Sequence, residues 1–170
     1  MKLIIIILVI VIFGLIGNLI KQRYENECWF LRYIEDFVNY YYSNIALFKN
    51  NTVEIINNYI IMQENKNANY NNLFLKNGNL YSINDKILSK YILFSGDVLI
   101  IKQFLAAVGN NEYEYEIEKI KVFLNFLKRK KEESSLNFKN KGVLYFKIVL
   151  SIGAVLAILI WWWYGCFNFI

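Results

Sequence analysis

The sequence contains no histidine and no proline, and it has only two cysteines. The missing histidine removes the commonest general base and the commonest metal ligand, and it leaves a serine or cysteine nucleophile without its usual partner. Cys28 and Cys166 fall on opposite sides of the membrane predicted below, so no disulfide framework or zinc site is available. The glycines at 78, 96, 109 and 142 are isolated, and none opens a phosphate-binding Gly-Lys-Ser/Thr loop. We therefore expect a protein that is not an enzyme and has no catalytic residues, no cofactor and no metal.

Charge is missing from both ends of the chain. Leu3 to Ile20 and Ile148 to Ile170 hold no charged residue, and apart from Lys2 every charge lies between Lys21 and Lys147. A helix needs about 20 apolar residues to cross the hydrocarbon core of a bilayer. We therefore predict four segments, which are a transmembrane helix at 1–21, a helical domain at 22–142, a second transmembrane helix at 143–164 and a short tail at 165–170.

The distribution of basic residues predicts on which side of the membrane the domain lies. Of the basic residues close to a span, only Lys2 lies on the far side, whereas ten lie on the domain side, namely Lys21, Arg23, Arg32, Lys128, Arg129, Lys130, Lys131, Lys139, Lys141 and Lys147. Basic residues near membrane helices favour the cytoplasmic side. We predict a cytoplasmic domain with both termini across the membrane.

A cleaved signal peptide is the alternative reading of the first apolar run, because Lys2 before an apolar stretch fits that too. The run is long for a signal peptide, and no small-x-small cleavage site stands out, with Gly14 and Gly17 the nearest candidates. We therefore predict an uncleaved anchor.

Apolar residues in the middle of the chain recur at three- and four-residue spacing, which predicts helices. The stripes are Phe30, Ile34, Phe37, Tyr41, Ile45 and Phe48; Ile55, Ile56, Tyr59, Ile60 and Met62; Val98, Ile101, Phe104, Leu105 and Val108; and Ile117, Ile120, Leu124 and Leu127. Strand signals are few. We predict an all-α fold, a helical bundle domain of about five or six helices flanked by an N-terminal and a C-terminal transmembrane helix.

Helix ends are indicated by capping residues. Thr52 and Asp97 are candidate N-caps, Ser82 or Asn84 can begin a helix between them, and Gly109 is placed as a C-terminal stop. Loops are predicted at Asn65–Asn72 and Lys76–Asn79, where asparagine and glycine cluster. A further start is predicted at Asn111 with Glu114. The helix that begins there either runs on towards the second span or is interrupted within Ser134–Asn140.

The last domain helix sorts its charges by sign. Glu112, Glu114, Glu116 and Glu118 come first, and Lys128, Arg129, Lys130 and Lys131 come last, an order that complements the helix dipole. The basic run is expected to lie in solvent or to contact membrane lipids, which attract such residues by about 1 kcal/mol each. Basic residues interleaved with exposed aromatics are not apparent, so no nucleic acid partner is expected.

The layout as a whole resembles the stage III sporulation protein AB family. The matching features are Gly17 with Arg23 and Tyr24; Leu31, Ile34 and Val38; Phe104, Val108, Gly109, Glu112 and Glu116 in the segment Ile101–Glu116; Lys141, Tyr145 and Lys147; and Gly153. Leu105, Glu112 and Glu116 stand where the family pattern has glycine, aspartate and glutamine.

The resemblance implies a role in the mother-cell membrane that engulfs the forespore, within a multi-protein channel assembly. It implies a domain similar to the F-type inner-membrane platform protein of type II secretion systems. The implied partners are other membrane subunits and a cytoplasmic secretion-type ATPase, the stage III sporulation protein AA. The residues proposed for interaction are Arg23, Phe104, Gly109, Glu112 and Glu116.

Two other functions stay open at this point. The chain could be a membrane sensor or regulator whose domain binds a soluble partner or a small ligand, which a closed pocket with convergent polar groups would favour. Alternatively, Glu112 and Glu116 lie four residues apart, so their carboxylates could share one helix face and form a catalytic pair.

Overall fold

The computed structural model describes residues 2–48, 51–64, 73–77, 80–109 and 112–167. Its elements, in chain order, are α1 (Lys2–Phe48), α2 (Thr52–Glu64), β1 (Phe74–Asn77), β2 (Leu80–Ile83), α3 (Asp85–Tyr91), α4 (Ser95–Ala107), α5 (Tyr113–Asn137), a π-helical turn (Phe138–Gly142) and α6 (Val143–Phe167). The loop predicted at Asn65–Asn72, the helix start predicted at Asn111 and the last three residues of the predicted tail lie outside the described residues.

The predicted all-α fold class is confirmed, with one local addition. Strands β1 and β2 form an antiparallel hairpin in which Phe74 pairs with Ile83 and Asn77 with Leu80. The loop predicted from Lys76 is therefore wrong at Lys76 and Asn77, which are paired in the ladder. An isolated two-stranded hairpin is marginally stable in water. This one is held to the core because Phe74 is buried among the domain's apolar side chains.

Contacts divide the chain into two compact units, Glu27–Glu133 and the pair of segments Met1–Asn26 and Ser134–Ile170. The core of the first unit is built on the α1 stripe that the sequence predicted. The side chains of Phe30, Ile34, Phe37, Tyr41 and Ile45 are buried there, and only Phe48, at the end of the helix, is exposed.

Aromatic side chains fill much of this core. The Tyr59 ring of α2 meets Phe37 edge-on at a centroid distance of 5.1 Å, and Phe74 lies 4.7 Å from the same Phe37 ring. Such tilted arrangements suit the quadrupoles of the rings. Burial raises the pKa of three tyrosine hydroxyl groups of this unit, Tyr33, Tyr41 and Tyr59.

Two of the predicted helix caps are wrong, and one is confirmed. The Asn51 side chain, not Thr52, caps α2 by accepting the backbone N–H of Val53 at 2.9 Å. Asp97 lies inside the first turn of α4, and it is ion-paired with Lys130 at 3.1 Å. Asn84 does cap α3, because its side chain accepts the N–H of Lys86 at 3.2 Å. Thr52 and Asp97 instead contact side chains of other helices, Tyr41 and Lys130, which a local sequence pattern does not reveal.

The second unit contains an antiparallel pair of apolar helices. A Cβ on Gly153 would come within 2.6 Å of Phe13, and one on Gly17 within 3.1 Å of Phe146. The two helices are antiparallel, because the step forward from Phe13 to Gly17 on α1 matches a step back from Gly153 to Phe146 on α6. Small residues let helix backbones approach closely in a membrane. Glycine at these positions therefore makes room for the phenylalanine of the facing helix.

Two helical stretches, Leu3–Phe48 and Tyr113–Trp163, contain segments long and apolar enough to cross a membrane, judged by length and composition. Helix α6 begins at Val143, directly after the π-helical turn. Of the two readings of Ser134–Asn140, the structure has the helix running on, because α5, the π-helical turn and α6 follow one another without a break. Gly142, at the end of this turn, packs against Tyr24 of α1.

Candidate functional site

The turn between α4 and α5 is shaped by Gly109. Its φ of +82° lies in the left-handed region, where residues with a Cβ are strained. A Cβ at this position would also come within 2.5 Å of the Thr52 hydroxyl oxygen. The predicted role of Gly109 as a C-terminal stop is confirmed, and the close approach to α2 adds a second reason for glycine.

The Glu116 carboxylate is the centre of a buried polar cluster. Its Oε1 accepts two hydrogen bonds of 2.6 Å, one from the Tyr41 hydroxyl and one from the backbone N–H of Gly109. The Tyr41 oxygen lies 3.0 Å from the Thr52 hydroxyl. Burial, followed by the hydrogen bond to Glu116, raises the pKa of Tyr41. The hydrogen bonds of the cluster link α5 to α1 and to the α4–α5 turn. The cluster therefore stabilises the packing of the domain.

The structure separates Glu112 from Glu116. Glu116 is buried, with 5% of its surface exposed, whereas Glu112 is exposed just before the start of α5. The two residues are joined by an ordinary helical bond from the Glu116 N–H to the Glu112 carbonyl. A catalytic carboxylate pair needs both groups to face one substrate site. This geometry gives no such site.

Phe104 contributes to an open surface groove between α4 and α5, called here the α4–α5 groove. It has a volume of about 850 Å³. Its floor contains Phe104 stacked on Phe123, with ring centroids 3.7 Å apart and planes inclined by 10°. Its rim includes Ile100, Val122 and Arg129. Open apolar grooves of this kind suit the apolar face of another helix.

The basic run at the end of α5 is divided between two roles. Lys130 forms ion pairs with Glu133 at 2.9 Å and with Asp97 at 3.1 Å. The hydrogen bond to Glu133, followed by that to Asp97, raises the pKa of Lys130. Lys131 is paired with Glu35 of α1. Lys128 and Arg129 are exposed. Half of the run therefore links α5 to the rest of the domain.

The proposed interaction residues lie at three kinds of position. Arg23 is exposed on α1 in the unit with the apolar helices, and Glu112 is exposed before α5. Gly109 and Glu116 belong to the polar cluster, in which Glu116 is buried and Gly109 is exposed, and Phe104 lines the α4–α5 groove. Sequence reasoning missed Tyr41 as the partner of Glu116, because the two residues are 75 positions apart. It also missed the groove, although the apolar residues Ile100 and Val122, outside the predicted stripes, were a signal for it.

The chain matches the family model for stage III sporulation protein AB over residues 2–161. It belongs to the stage III sporulation protein AB family. This confirms the resemblance drawn from the sequence, and it assigns a sporulation role to the chain. The match spans both apolar helices and the domain between them, which fits a membrane protein. Comparison with curated proteins found no match, and neither did comparison with solved structures.

The family match connects the chain to sporulation and names no catalytic activity. Among the described residues, no three or more histidine, cysteine, aspartate or glutamate side chains form a group that could hold a metal ion. The described surface of this family member includes the apolar α4–α5 groove, with the exposed Arg129 at its edge.

Proposed function

We propose that the chain is a non-enzymatic membrane platform component of a sporulation-specific, secretion-like channel complex in the mother-cell membrane. In this role the two apolar helices hold the chain in the membrane, and the domain engages a cytoplasmic secretion-type ATPase and other membrane subunits. The observation that carries the proposal is the α4–α5 groove, an unfilled apolar surface on a domain flanked by two candidate spans.

The internal contacts of the domain support a scaffolding role. Its buried carboxylate is used in hydrogen bonds to the protein itself, and ion pairs link α5 to both α1 and α4. A domain stabilised in this way can present a surface in a fixed geometry, which lowers the entropic cost of binding a partner. The sensor or regulator alternative would use a pocket with convergent polar groups, whereas the α4–α5 groove is open and mostly apolar.

Co-purification tests the platform proposal. The full-length tagged chain is isolated in mild detergent from sporulating cells, and the proteins bound to it are identified. The proposal expects the stage III sporulation protein AA and other membrane subunits in amounts comparable to the chain. A chain that purifies without them contradicts the proposal, whereas a small molecule or an unrelated soluble protein in stoichiometric amount would support the sensor alternative.

Topology gives an independent test. A reporter that is active only in the cytoplasm is fused after Lys131, and in a second fusion the same reporter is placed at the C-terminus. Activity of the first fusion and inactivity of the second are expected from the ten-to-one distribution of basic residues. The opposite result would remove the ATPase from reach of the domain and refute the docking role.

A further inference from the structure

The α4–α5 groove has exposed apolar walls above an aromatic floor. Val122 is 67% exposed and Ile100 is 43% exposed, and between them Phe104 and Phe123 are stacked. Phe126 continues the aromatic row, with its ring centroid 5.7 Å from that of Phe123. Covering apolar surface of this kind is favourable roughly in proportion to its area. The groove is therefore a surface on which a partner would gain binding energy.

The length of the groove suits a helix. On α5 its lining extends from Tyr115 to Arg129. The 14 steps from Tyr115 to Arg129, at about 1.5 Å each, span about 21 Å, which is roughly four helical turns. Helices α4 and α5 run antiparallel, because the step forward from Asp97 to Phe104 on α4 matches a step back from Lys130 to Phe123 on α5. A third helix can lie between two such helices and place apolar side chains from successive turns into the groove.

Charged side chains lie near both ends of the groove. Three charged residues line it, Glu118 and Lys119 near one end and Arg129 at the other. The Lys119 ammonium lies 4.4 Å from the centre of the Tyr115 ring. Arg129 is exposed and has no ion-pair partner among the described residues. An arginine at the edge of an apolar surface is a strong site for a carboxylate, since its guanidinium can donate two parallel hydrogen bonds.

We infer that the α4–α5 groove receives an amphipathic helix from another protein, about four turns long, whose flank carries a carboxylate that meets Arg129. This inference rests on the proposed platform function, and it specifies the chemistry of the partner. A bilayer surface fits the groove less well, because a nearly flat surface cannot reach the floor of a concave site. The exposed Glu114 and Glu118 near the start of α5 would also repel anionic headgroups.

Site-specific photo-crosslinking identifies the occupant. A benzophenone-bearing amino acid replaces Val122 in the full-length chain, expressed in sporulating cells, and the crosslinked peptide is sequenced. Lys121 is the matched control, because it is exposed on the same helix and does not line the groove. The Val122 probe should label at least about tenfold more than the Lys121 probe. Its product should be a peptide of another protein with apolar residues at helical spacing and an aspartate or glutamate on its flank.

Four results would overturn the inference. They are a crosslink to a second copy of this chain, adducts with lipid alone, a partner peptide without helical spacing or without an acidic residue, and equal labelling from the two probe positions.

Charge reversal tests the role of Arg129 directly. Arg129→Glu should lower the Val122 crosslink about tenfold, which is the loss expected when one charged contact at an interface is reversed. Lys121→Glu makes the same change in net charge and should leave the yield within about twofold. Changing the partner's acidic residue to lysine should restore crosslinking to the Arg129→Glu chain. If Arg129→Glu and Lys121→Glu behave alike, the carboxylate contact is refuted.

The two proposals can fail separately. Co-purification of the ATPase with the native chain, combined with no Val122 crosslink above control, would overturn the groove inference and leave the platform function standing. A Val122 crosslink to an acidic helix of a protein outside the channel complex would support the groove inference and overturn the platform function.

Discussion

Replacing Glu116 with alanine removes the acceptor of two short hydrogen bonds at once. The Gly109 N–H loses the carboxylate to which it donates, and Tyr41 keeps only its contact with the Thr52 hydroxyl. A hydrogen bond to a charged acceptor contributes about 1.5–3 kcal/mol. Two such bonds are lost, but Gly109 is exposed, so its N–H can bond water instead. Because Tyr41 retains one contact, we expect Glu116→Ala to lower the free energy of unfolding by about 3 kcal/mol.

Two variants separate the hydrogen bonds from other effects of the substitution. Glu116→Gln keeps an acceptor oxygen and loses only the charge, so it should cost about 1 kcal/mol. Glutamine is also the residue that the family pattern has at this position. Glu118→Ala removes an exposed carboxylate from the same helix, and it should change stability by less than about 0.5 kcal/mol.

Urea-induced unfolding of the full-length chain in lipid nanodiscs, followed by near-ultraviolet circular dichroism, measures these changes. With a urea dependence near ~1.5 kcal/mol per molar, Glu116→Ala should lower the midpoint by about 2 M and leave the slope unchanged. Hydrogen exchange at the Gly109 amide should accelerate in the same variant. A midpoint for Glu116→Ala equal to that of the native chain, or equal effects of alanine and glutamine, would refute the assignment of Glu116 as the shared acceptor.

Three further outcomes follow from the packing. Gly109→Ala should destabilise the domain by about 2–4 kcal/mol in the same urea assay, because it combines a positive φ with a clash against Thr52. Gly96→Ala is the control and should be neutral or stabilising, because a Cβ at Gly96 meets nothing within 4 Å. Gly153→Leu should separate the two apolar helices, measured as a longer distance between spin labels on α1 and α6, while Gly14→Leu, with open space around it, should not. Stability should decline above pH 10 in urea titrations at successive pH values, because the folded state raises the pKa of the three buried tyrosines above the ordinary value of about 10. Below pH 10 the three tyrosines make their full contribution to the free energy of unfolding. Above pH 10 the tyrosines of the unfolded chain ionise before those of the folded chain, so the free energy of unfolding falls by up to about 1.4 kcal/mol per pH unit for each tyrosine. A midpoint that stays constant up to pH 11 would contradict this.

Features encoded within one helix could be predicted from the sequence. The buried stripe of α1 follows from apolar residues at helical spacing. The positive φ of Gly109 follows from a glycine placed after a helix. Each of these depends on residues a few positions apart, whose geometry the helix itself determines.

Features that depend on distant residues could not be predicted. Threonine is a residue type that favours the N-cap, but the Thr52 hydroxyl contacts Tyr41 of α1, and the neighbouring Asn51 caps the helix instead. Asp97 likewise pairs with Lys130 of α5. Glu112 and Glu116 are four positions apart, but Glu112 is exposed before the start of α5, whereas Glu116 is buried and bonded to the Tyr41 hydroxyl and the Gly109 N–H. In each case a partner on another element decides the role of the side chain.

The basic run Lys128–Lys131 has to be judged differently before and after folding. The rule that relates basic residues to the cytoplasmic side acts on the chain as it is inserted, so the ten-to-one distribution keeps its predictive value whatever contacts form later. In the folded domain, however, Lys130 and Lys131 are held by carboxylates of the protein. At about 1 kcal/mol for each basic residue near an anionic surface, that reduces the lipid attraction expected from the run by about 2 kcal/mol. Of the two that remain, Arg129 lines the α4–α5 groove. A run that looked like a lipid-binding patch is therefore better explained as a set of domain contacts with one residue available to a protein partner.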